Sequence, residues 1–310
     1  MSAFTILFLG AGKKVSLVAN FLQSVKNLNL EPRLLSYEVD LYQPVSKLAE
    51  IILGKIWADP DVDDHLLQII RQQEVNLVVS NVDPASIVQS RIRTLTGASS
   101  LCSEQFVVEN CTSKKRFQEV CEFNELDIIP LASLHQFPKF GKPDMGSSSN
   151  GAMLIQNIND QNRLSKDLSY IYQEYIVGLE ISVDCYITQS GSILGISPRI
   201  RVRTQGGESI ETDTISDDEV INKSIEVIKK LNLLGPITIQ FIREKSTDLL
   251  YLMEVNPRFG GGVNASIYSG FDFPTMMIRE ALGLEPRKIE FGRKVKMIKY
   301  FEEVYFEIDS

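Results

Sequence analysis

Short apolar runs and amphipathic stretches alternate along the first third of the chain. Residues 4–9 are almost wholly apolar and predict a buried strand, and Gly10-Ala11-Gly12 supplies a turn. Residues 15–28 then read as a helix and residues 34–37 as a second strand. Helices are expected over residues 45–52 and 62–72; acidic residues open the second, where they suit the positive end of a helix. Residues 77–80 form another strand, closed by Asn81-Val82-Asp83-Pro84 and followed by a helix from Ala85. Strands alternating with helices predict a parallel sheet covered on both faces.

The period changes further on. Residues 114–123 read as a short helix headed by two lysines, and residues 128–130 as a strand stopped by proline. Residues 137–151 are rich in glycine and serine and predict a loop. Strands follow over 171–176, 180–187 and 192–198, and residues 217–231 form an amphipathic helix. Residues 237–243 and 249–255 are strands joined by the polar stretch 244–248, a hairpin pattern. The second half is therefore the richer in antiparallel sheet.

At 310 residues the chain is long enough for two domains. A net charge of -8 provides no background field for nucleic acid or anionic membrane, so neither is expected as a partner. Cys102, Cys111, Cys121 and Cys185 form no CxxC pair, and only His65 and His135 accompany them, which speaks against zinc and against a disulfide framework. The apolar start has no basic n-region and no apolar run approaches a membrane span, so a cytoplasmic location is expected.

Candidate chemistry is concentrated in a few places. Gly10-Ala11-Gly12 lacks the third glycine of a dinucleotide fingerprint, Asp40 is no specific ribose ligand, and tight-turn packing explains the glycines more simply. Asp83 ends a strand, where α/β ligands often bind, but also suits a helix cap. The 137–151 loop offers many N–H and hydroxyl donors, with Lys142 as a point charge; it is either a phosphate-wrapping loop or an ordinary surface loop. On the hairpin, Glu254 and Asn256 are two apart and share a face, with Gln240 on the partner strand. Such oxygens suit Mg²⁺ when phosphates complete its shell, and they equally suit the solvent face of an edge hairpin. Arg258 follows Pro257, and Gly260-Gly261-Gly262 permit close backbone approach to a ligand. Arg199, Arg201 and Arg203 alternate and are expected on one face, as a grip for a carboxylate or as an exposed charged strand. Glu208 beyond them can position an amine or balance an arginine.

Taken in order, Lys114, Lys142-Pro143 with Gly146–Gly151, Gln173–Glu180, Gln240 and Met253–Arg258 resemble the ATP-grasp superfamily, in particular its carbamoyl-phosphate-synthase-like carboxylate–amine ligase branch. The resemblance implies an N-terminal parallel α/β domain over 1–112 and an ATP-grasp domain over 113–285. That domain comprises two α+β subdomains whose antiparallel sheets enclose ATP, with a lid over about 130–178, and a short extension over 286–310 follows. It implies that Lys114 and Lys142 contact phosphates, that Ser147, Ser148 and Ser149 lie in the loop over them, and that Gln173, Glu174 and Ile176 read the adenine. Glu180 would bind the ribose, and Gln240, Glu254 and Asn256 would hold Mg²⁺, with Mn²⁺ as a substitute. Arg258, with Lys142, would stabilise the transferred phosphoryl group, and Arg199, Arg201 and Arg203 would meet the substrate.

The reaction implied is attack of a carboxylate on MgATP to give an acyl phosphate, followed by amine attack to form an amide or peptide bond; a kinase-like or carboxylating ATP-grasp enzyme, or a catalytically inactive nucleotide-binding protein, is the alternative. The partners implied are a small-molecule carboxylate and amine, with a homodimer as the expected assembly. Gln240 departs from the carboxylate of many relatives, though it fits the synthase-like branch. A single ATP-grasp unit argues against carbamoyl phosphate synthesis, which uses two.

Overall fold

The computed structural model describes residues 3–133, 135–146, 150–164, 169–290 and 292–307. The expected α/β architecture is present as three sheets. The first contains β1 (Ala3–Leu9), β2 (Glu31–Glu38), β3 (Glu50–Leu53), β4 (Leu77–Ser80) and β5 (Ser99–Ser100), all parallel, in the order β3-β2-β1-β4-β5. Alternation along β1 assigns its two faces. Phe4, Ile6 and Phe8 pack with α1 (Val15–Asn27), while Leu7 and Leu9 pack with α2 (Val62–Gln72) and α3 (Asp83–Ile92).

Some expected elements are different: residues 128–130 form no strand, only an isolated bridge from Ile128 to Leu252. Residues 45–52 are not a helix: a single 3-10 turn covers Pro44–Lys47, and the chain then extends into β3. Ile51 and Ile52 are β-branched, and they pair with Ser36 and Tyr37 on the open edge of β2, so tertiary pairing overrides a short helical pattern.

Two helices, α4 (Gln105–Thr112) and α5 (Lys114–Phe123), lead into the second body. Ser113 separates them and caps α5, its hydroxyl accepting from the Arg116 amide. A small antiparallel sheet follows, ordered β7-β6-β8, from β6 (Lys139–Pro143), β7 (Met153–Ile155) and β8 (Tyr170–Glu174), with α6 (Ile158–Asn162) beside it. The expected 137–151 loop therefore begins as a paired strand. Gly141 permits this, since a Cβ there would lie 2.8 Å from Ile155 Cδ1 on the neighbouring strand. Ser147, Ser148 and Ser149 lie outside the described residues.

The large sheet is antiparallel, in the order β13-β12-β9-β10-β11-β14. Its strands are β9 (Gly178–Ile187), β10 (Ile193–Gln205), β11 (Glu208–Thr214), β12 (Gly235–Glu244), β13 (Leu250–Asn256) and β14 (Lys296–Ile298). One face is apolar: Ile181, Val183, Ile237, Ile239 and Phe241 pack on α5 and on α7 (Asp218–Lys230). The other face carries the alternating polar residues. Two last helices, α8 (Val263–Ser269) and α9 (Phe273–Ala281), bring Phe259, Phe273 and Met277 against the α1 side of the first sheet, so one core joins the two bodies. Among the described residues no helix is long and apolar enough to cross a membrane.

Candidate active site

A cavity of about 520 Å³ opens between the large sheet, the three-stranded sheet and the C-terminal edge of the parallel sheet. Its floor is the polar face of the large sheet, contributed by β9, β10, β12 and β13. Period-two alternation explains this placement: Glu180, Ser182, Thr238 and Gln240 face the cavity while their neighbours enter the core.

At one end stands Gln173 on β8, buried with 4% exposure. Its Nε2 donates to Gln118 Oε1 at 2.9 Å, which leaves Oε1 buried without a partner. A buried orphan acceptor is costly, and the exocyclic amine of adenine is a donor that satisfies it. Phe140 and Met253 also line this region and suit the flat faces of a base. Glu174 and Ile176 are not among the lining residues. The Glu174 amide donates to Pro130 O at 2.9 Å, and its carboxylate accepts from Gln136 at 3.0 Å.

Lys142 lines the next section, from β6. Desolvation by burial pushes its pKa below the usual lysine value and Lys114 pushes the same way, against the attraction of Glu254 and Glu180. Lys114, at the start of α5, donates to Gly146 O at 2.8 Å, and so holds the beginning of the segment that the family resemblance expects over phosphates. Two lysines facing one cavity fit a polyphosphate, whose charge offsets the burial of Lys142.

Gln240 and Glu254 are directly paired across β12 and β13, and Gln240 Nε2 donates to Glu254 Oε1 at 2.5 Å. Asn256 Nδ2 donates to the same oxygen at 3.0 Å. The expected metal residues are thus brought together. Among the described residues no group of three or more His, Cys, Asp or Glu side chains could hold a metal, so an ion here would depend on one carboxylate and two amides. Hard amide and carboxylate oxygens fit Mg²⁺ beside phosphates. Gln240 and Asn256 fit conditionally, because the Gln240 oxygen accepts from Arg201 Nη1 and the Asn256 oxygen from Arg258 Nη2 at 3.2 Å, and each must turn a lone pair to the ion. Arg201 also donates to Gly207 O at 2.9 Å and lies 3.2 Å from Glu180.

The arginines do not share one face. Arg199 and Arg201 line the cavity, but the register shifts on either side of Arg203, which stands exposed beside Glu211. A β-bulge breaks strict alternation and re-aims the side chain that follows. Arg199 is 2% exposed, and its guanidinium is committed to protein partners: Asp184 accepts from Nε at 2.8 Å and Nη2 at 3.2 Å, and Ser209 from Nη1 at 3.3 Å. Neither Arg199 nor Arg203 therefore matches the substrate grip read from the alternation.

The far end of the cavity meets the parallel sheet. Arg258 Nε donates to Asp83 Oδ1 at 2.6 Å, which gives Asp83 a partner on the opposite wall. Glu208 accepts from Lys14, beside the Gly10-Ala11-Gly12 turn, and from Lys299 at 2.9 Å, just beyond β14. Burial alone would raise the Glu208 pKa; the two ammonium groups outweigh it and hold the carboxyl at about 2. The Gly10-Ala11-Gly12 turn is closed by the protein itself: the Ala11 and Gly12 amides bond Glu38, which is also bonded to Ser36, yet burial still raises its pKa. A dinucleotide phosphate would have to displace that carboxylate. The sequence did not single out Asp184, Thr238, Lys14, Lys299 or Gln118. Asp184 and Thr238 were legible as alternating polar positions on strands, but the long-range pairing of the others leaves no local pattern.

These features define the ATP-grasp fold: a parallel α/β body followed by two antiparallel sheets enclosing a cavity that carries the expected lysine, amide and carboxylate groups. Residues 167–304 match the family model described as ATP-grasp in the biosynthetic pathway with Ter operon. The fold is similar to N5-carboxyaminoimidazole synthetase from Staphylococcus aureus complexed with ADP, at 15% identity, TM-score 0.76, covering 96% of this chain and 83% of that one. It is similar to L-amino acid ligase from Bacillus licheniformis, at 15% identity, TM-score 0.72, covering 93% and 76%. It also resembles the biotin carboxylase domain of 2-oxoglutarate carboxylase from Hydrogenobacter thermophilus in complex with MgADP, ADP and bicarbonate, at 13% identity, TM-score 0.73, covering 94% and 72%. No curated protein matches the chain.

Proposed function

We propose that this protein is an ATP-dependent ligase that activates a small carboxylate as an acyl phosphate and joins it to an amine. The observation that carries this reading is one continuous cavity. It has an unsatisfied acceptor at Gln173, two lysines in the middle, the Glu254 cluster beside them and Arg258 at the far end. That order fits base, phosphates, metal and acceptor along a single molecule and its target.

In this reading Lys142 and Lys114 hold the phosphates in line, and Glu180 receives the ribose hydroxyls. Glu254, with Gln240 after release from Arg201 and with the second lone pair of the Asn256 oxygen that Arg258 also meets, would hold Mg²⁺, which when bound neutralises phosphate charge and orients it. Arg258 stands where the carboxylate and the transferred phosphoryl group meet, oriented by Asp83 and by Asn256 Oδ1 at 3.2 Å. The carboxylate oxygen attacks the γ-phosphorus and ADP leaves; the amine then attacks the acyl carbon and expels phosphate. Alignment and charge complementarity supply the catalysis, and no side-chain nucleophile is needed.

The test is a screen of small carboxylates, bicarbonate among them, against amines including amino acids, reading ADP release and product mass. With a carboxylate other than bicarbonate, a product whose mass equals the two substrates less one water supports the ligase. ADP release with bicarbonate and a carboxylated amine would assign a carboxylating enzyme instead. ATP binding without substrate-stimulated ADP release from any pair would contradict both.

A further inference from the structure

We infer that Asp184, Arg199 and Thr238 form a positioning unit that fixes the loop carrying Arg258, and that Arg199 does this work without touching substrate. The inference rests on the proposed role of Arg258 at the phosphoryl group.

Asp184 lies fully buried on β9, an inner strand paired on both sides. Its carboxylate receives four hydrogen bonds. Two come from Arg199 on β10, one from Thr238 Oγ1 on β12 at 3.0 Å and one from Ser266 Oγ on α8 at 2.7 Å. Thr238 Oγ1 in turn accepts the Gly260 amide at 2.7 Å. The chain leaving edge strand β13 is thereby tied to the two inner strands immediately after Arg258.

The glycines explain the contact. A Cβ on Gly260 would lie 2.9 Å from Thr238 Oγ1, and one on Gly262 would lie 2.4 Å from Arg199 Nη1 and 2.6 Å from its Cζ. The loop backbone therefore rests directly on the guanidinium. Arg199 cannot yield, because both of its faces of attachment, Asp184 and Ser209, are themselves buried. An arginine that lines the cavity but has its nitrogens engaged is a support for the loop above it. The three-glycine run is then required for packing on that support as much as for access by a ligand.

The experiment uses Thr238→Val, which keeps the side-chain volume and removes the hydroxyl, with Thr238→Ser as the conservative rescue. Isothermal titration measures MgADP binding and then inorganic phosphate, the expected product, binding to the MgADP-loaded full chain. Thr238→Val should bind MgADP as the wild type does and bind phosphate about tenfold more weakly, and Thr238→Ser should restore phosphate binding. A purely structural defect would weaken both ligands together. Wild-type phosphate affinity in Thr238→Val would overturn the positioning role, as would equal losses in the Val and Ser variants. If the wild-type MgADP complex binds no phosphate, the role of Arg258 fails and this inference fails with it.

Discussion

Lys142 is a cation buried ahead of its ligand. Burial lowers its pKa first and Lys114 adds repulsion, so the folded value lies below 10.5. Between the folded and unfolded values the unfolded chain binds more protons, so this residue makes stability rise with pH there. Phosphate binding requires the protonated form. The KM for ATP should therefore climb on the alkaline side as pH passes through the folded pKa, below 10.5, and Lys142→Arg should abolish that limb. An identical limb in the arginine variant would contradict the assignment. Glu254 accepts from both Gln240 and Asn256, and it is the one carboxylate of the metal end. Glu254→Ala should lower Mg²⁺-dependent turnover by about a hundredfold and weaken Mn²⁺ binding to the nucleotide complex as read by electron paramagnetic resonance. Unchanged Mn²⁺ binding would move the metal elsewhere.

At the scale of elements, hydrophobic periodicity carried most of the fold. The helix at 62–72 and the strand at 77–80 coincide with α2 and β4, because their apolar patterns match the faces that they bury. Three local patterns misled, the first at residues 128–130, which make only an isolated bridge to Leu252. Residues 45–52 extend because β2 offers an open edge, and residues 139–143 form a strand because β7 and β8 flank them. None of these partners is visible from a window of neighbours. The site was legible where two residues on one strand sufficed, as with Glu254 and Asn256. It was not legible where a bulge re-aimed Arg203 or where Asp184 took up Arg199. The close contact beneath the glycine run gives a packing test. Gly262→Ala should lower stability by roughly 1–3 kcal/mol in denaturant titration, since the pinned guanidinium has no room to retreat. Wild-type stability would mean that the loop rises freely from Arg199.

At the scale of the molecule, the cavity is closed by pairs that cross between its two bodies. Asp83 on α3 meets Arg258, and Lys14 before α1 meets Glu208, which Lys299 also holds from beyond β14. The tail continues back to the first body through Lys47 and Glu302 at 2.7 Å. Glu208 adds stability that is fully present above its unfolded value and is lost as pH falls through about 2. The far wall should accordingly loosen only in strong acid, as read by hydrogen exchange of the 206–212 amides. Loosening at mildly acidic pH would show that the two lysines do not hold it. Sequence order alone gave no hint of these pairs, since their members are far apart along the chain.

The most direct measurement follows heavy oxygen from a carboxylate substrate labelled on both oxygens. If the carboxylate attacks MgATP and the amine then displaces phosphate, one labelled oxygen is carried into the released phosphate, and phosphorus NMR will detect it. Unlabelled phosphate, formed together with coupled product, would contradict an acyl-phosphate route and with it the reading of this cavity.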